Sequence, residues 1–193
     1  MILLLAVVIG LFAGITRAWY KNQLYSPVHL QGIWLVFLAY LPQFFAFFLP
    51  FTRPLIPNSL IPYILVISQS LLLLFAWQNR GMPGMRLLAT GLFLNFLVIA
   101  LNGGMMPLSP QNAQKLILPG AEVELQLGQR VGYGKDVLLE IENTRVWFLS
   151  DIFTLPSWIG YRLAFSFGDI LIALGAFWLF WSLGNPQKIN SEV

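Results

Sequence analysis

Asp151 and Asp169 are the residues whose type and placement best suit chemistry in this chain. Asp151 closes the strand-like stretch Val146-Trp-Phe-Leu-Ser-Asp151. Asp169 opens an apolar run in Phe165-Ser-Phe-Gly-Asp169. Two carboxyls held close cannot both ionise easily, so they share a proton and their pKa values separate. One then acts as base on a water and the other as acid toward a carbonyl oxygen. Such a dyad needs no histidine, thiol or metal. The chain has no cysteine and a single histidine, His29, which excludes disulfides, thiolate sites and a two-histidine zinc site. No metal or cofactor is expected. Asn102 and Ser166 are candidate substrate contacts, and Arg162, like Arg145, flanks the aspartates and suits a lipid phosphate or a carboxylate.

The same residues also fit structural roles. Ser166-Phe-Gly-Asp169 has the spacing of a helix capping box. Asn102-Gly103-Gly104 follows an apolar run where a left-handed helix end is common. Gln43, Gln69 and Asn95 lie inside apolar runs, where polar side chains bond between helices or line a path. Pro42 should kink its helix. Gly128 to Asp136 is no phosphate loop, because Gln129 stands where the first glycine is needed and Asp136 follows Lys135.

The elements that must hold these residues are apolar. The chain is 58% hydrophobic and 10% charged, whereas soluble domains carry about 25% charged residues, so most of its surface does not face water. Five apolar runs, 1–18, 30–51, 61–77, 87–101 and 167–183, approach the roughly 20 residues that cross a bilayer. The expected fold is an all-α integral membrane protein of about five transmembrane helices with a small extracytoplasmic β-rich cap. Residues 1–101 make a four-helix region, 102–165 the cap, and 166–193 the last helix and a tail.

Arg17, Lys21, Arg80, Arg86 and Lys188 fall in connections on one side, against lone Arg53 in the short connection on the other. The positive-inside rule then puts the N-terminus outside and the C-terminus in the cytoplasm of a bacterial membrane. The first run has no basic residue before its apolar core and reads as a retained helix. Six of the eight acidic residues lie between Glu122 and Asp151, so that stretch meets water. Alternation in 121–127, turn residues in 132–136, and strand-like 137–141 and 145–149 predict a short antiparallel sheet, with Val123, Leu125 and Leu127 on one face. The scattered basic residues exclude a nucleic-acid surface. The partners expected are membrane lipids, with a peptide or lipid-linked substrate or partner membrane proteins.

Phe165, Gly168, Asp169, Ile172 and Gly175, with Asp151 upstream, resemble the last motifs of lipoprotein signal peptidase. That resemblance implies an aspartyl hydrolase at the outer membrane face. Ser166 stands where that family has Asn, and its Gly-Asn-x-x-Asp-Arg motif is missing. Over its whole length the chain resembles an uncharacterised bacterial family of five-helix membrane proteins. Gly10-Leu-Phe-Ala-Gly14, Asn102-Gly-Gly-Met-Met-Pro107 and Ser-Phe-Gly-Asp169 carry that likeness. It implies no activity. A non-catalytic subunit packing on partner helices is the alternative function.

Overall fold

A computed structural model describes residues 2–25, 29–118, 125–156 and 158–188. The protein is mostly helical, and each of the five apolar runs forms a helix: α1 (Ile2–Tyr20), α2 (Ile33–Gln43), α3 (Ile61–Gln78), α4 (Met85–Leu101) and, after a short polar α5 (Pro110–Leu116), α6 (Phe167–Ser182). Two stretches, Ile2–Tyr20 and Asn58–Gln78, are long and apolar enough to cross a membrane. The other three apolar helices are shorter. Pro42 offers no N–H to the preceding turn, and the chain answers with a wider π turn, Phe44–Phe48, where a simple kink was expected.

Glycines set the helix packing. α6 lies between α1 and α4. A Cβ on Gly10 would stand 2.8 Å from the backbone of Phe177, and one on Gly91 2.5 Å from the backbone of Gly168. Gly14 meets Phe180 in the same way, so α1 and α6 run parallel. Gly84 meets Gly175, so α4 runs antiparallel to α6. Close backbone approach of this kind packs helices without relying on large apolar side chains. A buried cluster including Ile61, Leu65, Val98, Ile99 and Met106 joins α3 and α4 to the segment that follows them.

The bundle has two chemically distinct ends. At one, β1 (Gln23–Tyr25) pairs antiparallel with β6 (Gly184–Lys188), and the Asn79 side chain bonds both backbone groups of Gln31. Arg17, Lys21, Arg80 and Arg86 belong to this end. At the other end sits the segment between α4 and α6, which carries every described acidic residue apart from Asp169 at the adjoining start of α6.

That segment departs from the expected sheet. Its pairs are β2 (Met106–Leu108) with β3 (Asp136–Leu138), in parallel, and β4 (Phe153–Thr154) with β5 (Ala164–Phe165), antiparallel. An antiparallel bridge from Arg130 to Val137 closes a hairpin over the expected turn, where Gly132 has φ 57°. Residues 145–149 are no strand. Asn102 takes up both backbone groups of Arg145, Val146 turns left-handed at φ 55°, and Trp147–Leu149 coil into a 3-10 turn. The strand expected at 121–127 lies largely outside the described residues, and Val123 with it.

Candidate functional site

The segment Asn102 to Leu108 organises the acidic end. Gly103 and Gly104 adopt φ 74° and 84°, which a residue with a Cβ tolerates poorly, and so turn the chain sharply out of α4. The Gly104 N–H returns to the Ile99 carbonyl at 2.8 Å. Asn102 donates to the carbonyls of Val98 and Arg145 and accepts from the Arg145 N–H. Its amide is thus spent on backbone, joining the end of α4 to the turn before Asp151. β2 then binds on both sides. The Met106 N–H bonds the Lys135 carbonyl at 3.1 Å, and the Pro107 carbonyl accepts from the Asp151 N–H at 3.3 Å. In this way β2 brings Lys135 and Asp136 against Asp151.

Lys135 Nζ lies 2.8 Å from Asp151 Oδ2 and 3.9 Å from Asp136 Oδ1. Asp151 is 1% exposed, while the Lys135 side chain keeps 35% of its surface. Neither Asp151 Oδ1 nor Asp136 Oδ1 has a hydrogen-bond partner. Buried acceptors without donors are costly, and a proton on one of the two carboxyls supplies the donor that the pair lacks. Burial pushes Asp151 up to about 7. Lys135 pulls it down, while Asp136 and Asp169 push it further up. Burial likewise raises Asp136, against the pull of Lys135. Burial alone would lower Lys135, but the carboxylates of Asp151, Asp169 and Asp136 outweigh it and hold the ammonium charged. The result is a protonatable carboxyl pair beside a fixed cation.

Asp169 holds a different position. Ser166 caps α6 by accepting from the Asp169 N–H at 3.1 Å, and Asp169 Oδ2 accepts from the Ser166 N–H at 3.1 Å, a complete capping box. Asp169 Oδ1 accepts from Asn95 Nδ2 at 2.9 Å, and the Ser166 hydroxyl donates to Asn95 Oδ1 at 2.8 Å. Both carboxylate oxygens are therefore occupied, and the triad ties α4 to α6. Gly168 makes this possible, because a Cβ there would collide with the Asn95 amide. Arg162 turns away from the aspartates and donates to the carbonyls of Lys115 and Ile117 at the end of α5.

Two cavities flank the ion pair. Asp151 lines an outer one of about 230 Å³ with Ser109, Asn112, Trp147 and Ser150. Lys135 and Asp169 line an inner one of about 270 Å³ that reaches between the helices to Gln43, Gln69 and Asn95. Gln69 Oε1 is buried there without a partner. The three amides singled out in the apolar runs thus share one chamber with the charged cluster.

A family assignment follows from the chain's own span. It belongs to the family of unknown function DUF5317. The match covers residues 27–181, which include α2 to α5, all of α6 but its last residue, and all four charged residues of the cluster. The chain is also similar to an uncharacterized protein of Thermotoga maritima, 29% identical over 157 residues, covering 77% of this chain and 80% of that one. No solved structure matches it.

Reading the sequence missed Lys135 and Asp136. They stood inside a Gly-rich turn and drew attention only as a failed phosphate loop. The available signal was an adjacent opposite-charge pair opening the apolar strand Val137-Leu-Leu in a chain with few charges.

Proposed function

We propose that this DUF5317 protein is a multi-pass protein of a bacterial cytoplasmic membrane that carries an aspartyl acid–base site at the outer face. Five crossings, N-terminus outside, are supported by the parallel run of α1 with α6 and the antiparallel run of α4 with α6, as alternation demands. Arg17, Lys21, Arg80 and Arg86 at a single end suit the cytoplasmic side. α4 and α6, with 17 and 16 residues, rise roughly 24–26 Å, so the bilayer thins slightly around them. A reporter inserted at Gly132 reads as extracytoplasmic in this topology, and one at the C-terminus as cytoplasmic. Both on one side would refute it.

The observation that carries the chemical reading is Asp151, a carboxyl poised near 7 and buried, with one oxygen unpartnered, on the wall of a polar pocket. A group of that pKa gives and takes a proton readily at neutral pH. Asp151 with Asp136 makes the working pair, in place of Asp151 with Asp169. Lys135 stabilises negative charge that builds on a carbonyl oxygen or on the pair. Asn95, Ser166 and Asp169 position the inner wall. The substrate class is a peptide or lipid-linked molecule reaching the outer pocket from the membrane surface. The test compares peptide and lipid products in envelopes of strains carrying wild type, Asp151→Asn, Asp136→Asn and Asp169→Asn. Products should disappear with the first two substitutions and persist with the third. Identical profiles in all four strains would favour a non-catalytic subunit, the reading suited to the exposed rings of Phe12, Trp19 and Phe37.

A further inference from the structure

A second open site lies at the basic end, away from the acid cluster. It is a groove of about 700 Å³ between α3 and α4, walled by Leu73, Trp77, Ala89 and Phe93 and ended by Arg80 and Arg86. Arg80 lies over the Trp77 ring at 4.6 Å and donates to the Trp77 carbonyl at 3.0 Å, which fixes its guanidinium at the groove's mouth. The Arg86 guanidinium has no hydrogen bond or ion pair among the described residues. Trp77 and Phe93 are 65% and 52% exposed, so the groove opens outward rather than into the bundle.

We propose that this groove binds an anionic phospholipid of the inner leaflet. The inference rests on the multi-pass reading above. The argument is charge and shape together. Every described carboxylate belongs to the opposite end, so none among the described residues neutralises these two guanidiniums. An apolar groove of this volume takes an acyl chain, and two guanidiniums lining it take a phosphate diester through bidentate hydrogen bonds. Basic pockets between helices on the cytoplasmic side recognise acidic head groups for the same reason. A zwitterionic lipid fills the same channel but brings its own cation to the two arginines.

The full chain, extracted in detergent, is offered dioleoyl-phosphatidylglycerol and dioleoyl-phosphatidylcholine in equal amounts, and the retained lipid is counted by native mass spectrometry. Phosphatidylglycerol should be retained roughly 30-fold over phosphatidylcholine, the order that two basic contacts give. In the double variant Arg80→Gln, Arg86→Gln the preference should fall to near unity while total retention persists. Ala89→Trp should reduce retention of both lipids by blocking the channel. Equal retention of the two lipids by the wild type would overturn the proposal, as would an unchanged preference in the double variant. A chain that leaves the membrane fraction without detergent would instead overturn the multi-pass reading, a result separable from lipid choice.

Discussion

The ammonium of Lys135 stands 2.8 Å from Asp151 Oδ2, while the other oxygen of that carboxyl is buried with no donor. The two facts pull the proton in opposite directions. The cation favours the carboxylate, and the unpartnered oxygen, like the neighbouring Asp136, favours the acid. Burial tips the balance toward a group that titrates near neutrality.

Stability should therefore fall as pH rises. Asp151 titrates at about 7 in the folded chain and near 3.9 when unfolded. The folded state thus binds the proton more tightly. Its contribution is complete below about pH 4 and is lost as pH rises through about 7. A gap of this size is worth at most about 4 kcal/mol, and relaxation around the partly open Lys135 reduces it to about 1–3 kcal/mol. Lys135 is raised, so its own proton stays bound through this range and its titration adds no pH dependence until alkaline pH. Unfolding in micelles at pH 5 and pH 8 measures the difference. Asp151→Asn should flatten it, and greater wild-type stability at pH 8 would mark Asp151 as an ordinary ion-paired carboxylate.

Lys135→Met should destabilise the protein by about 2–3 kcal/mol at pH 8, below the full cost of breaking a buried pair because Lys135 is partly exposed. At pH 5 the loss should shrink, since protonated carboxyls no longer need the cation. Equal losses at both values would mean that the side chain contributes packing and not charge.

Asp169→Ala should cost about 0.5–2 kcal/mol for the lost cap, plus the bond to Asn95. A double-mutant cycle with Asn95→Ala isolates that bond, with an expected coupling of roughly 1.5–3 kcal/mol for a hydrogen bond to a charged group. Additive effects would show that the two residues act separately. Asp169→Asn keeps the shape and should lose less.

Gly91→Ala places a methyl 2.5 Å from the Gly168 carbonyl, and should destabilise by about 1–3 kcal/mol as overpacking does. Gly81→Ala meets no atom within 4 Å and serves as the control. If the two variants unfold alike, the α4–α6 contact is looser than described.

The helices were legible because apolar runs declare themselves locally, and so was the capping box, whose two residues are three apart. Asn102-Gly103-Gly104 was legible as a helix end, with its left-handed glycines. What sequence could not reveal was long-range. Lys135 meets Asp151 only because β2 binds one on each side, and Asn95 reaches Asp169 across two helices. Residues 145–149 look like a strand from their side chains alone. Their backbone is claimed instead by Asn102, a partner from far up the chain, which no local pattern records.

The central position of α6 also has a meaning in time. The ribosome makes α6 after both α1 and α4, so the helix that joins those two arrives after them. Until Phe167–Ser182 emerges, Gly10 and Gly14 lack the backbone they pack against, the furrow of Gly84 and Gly91 is empty, and the Asn95 amide has no carboxylate to meet. A chain released before that point carries an unpartnered polar amide and an unfilled furrow. Arrival of α6 closes all of them together, so maturation of the bundle should be all-or-none and governed by that helix.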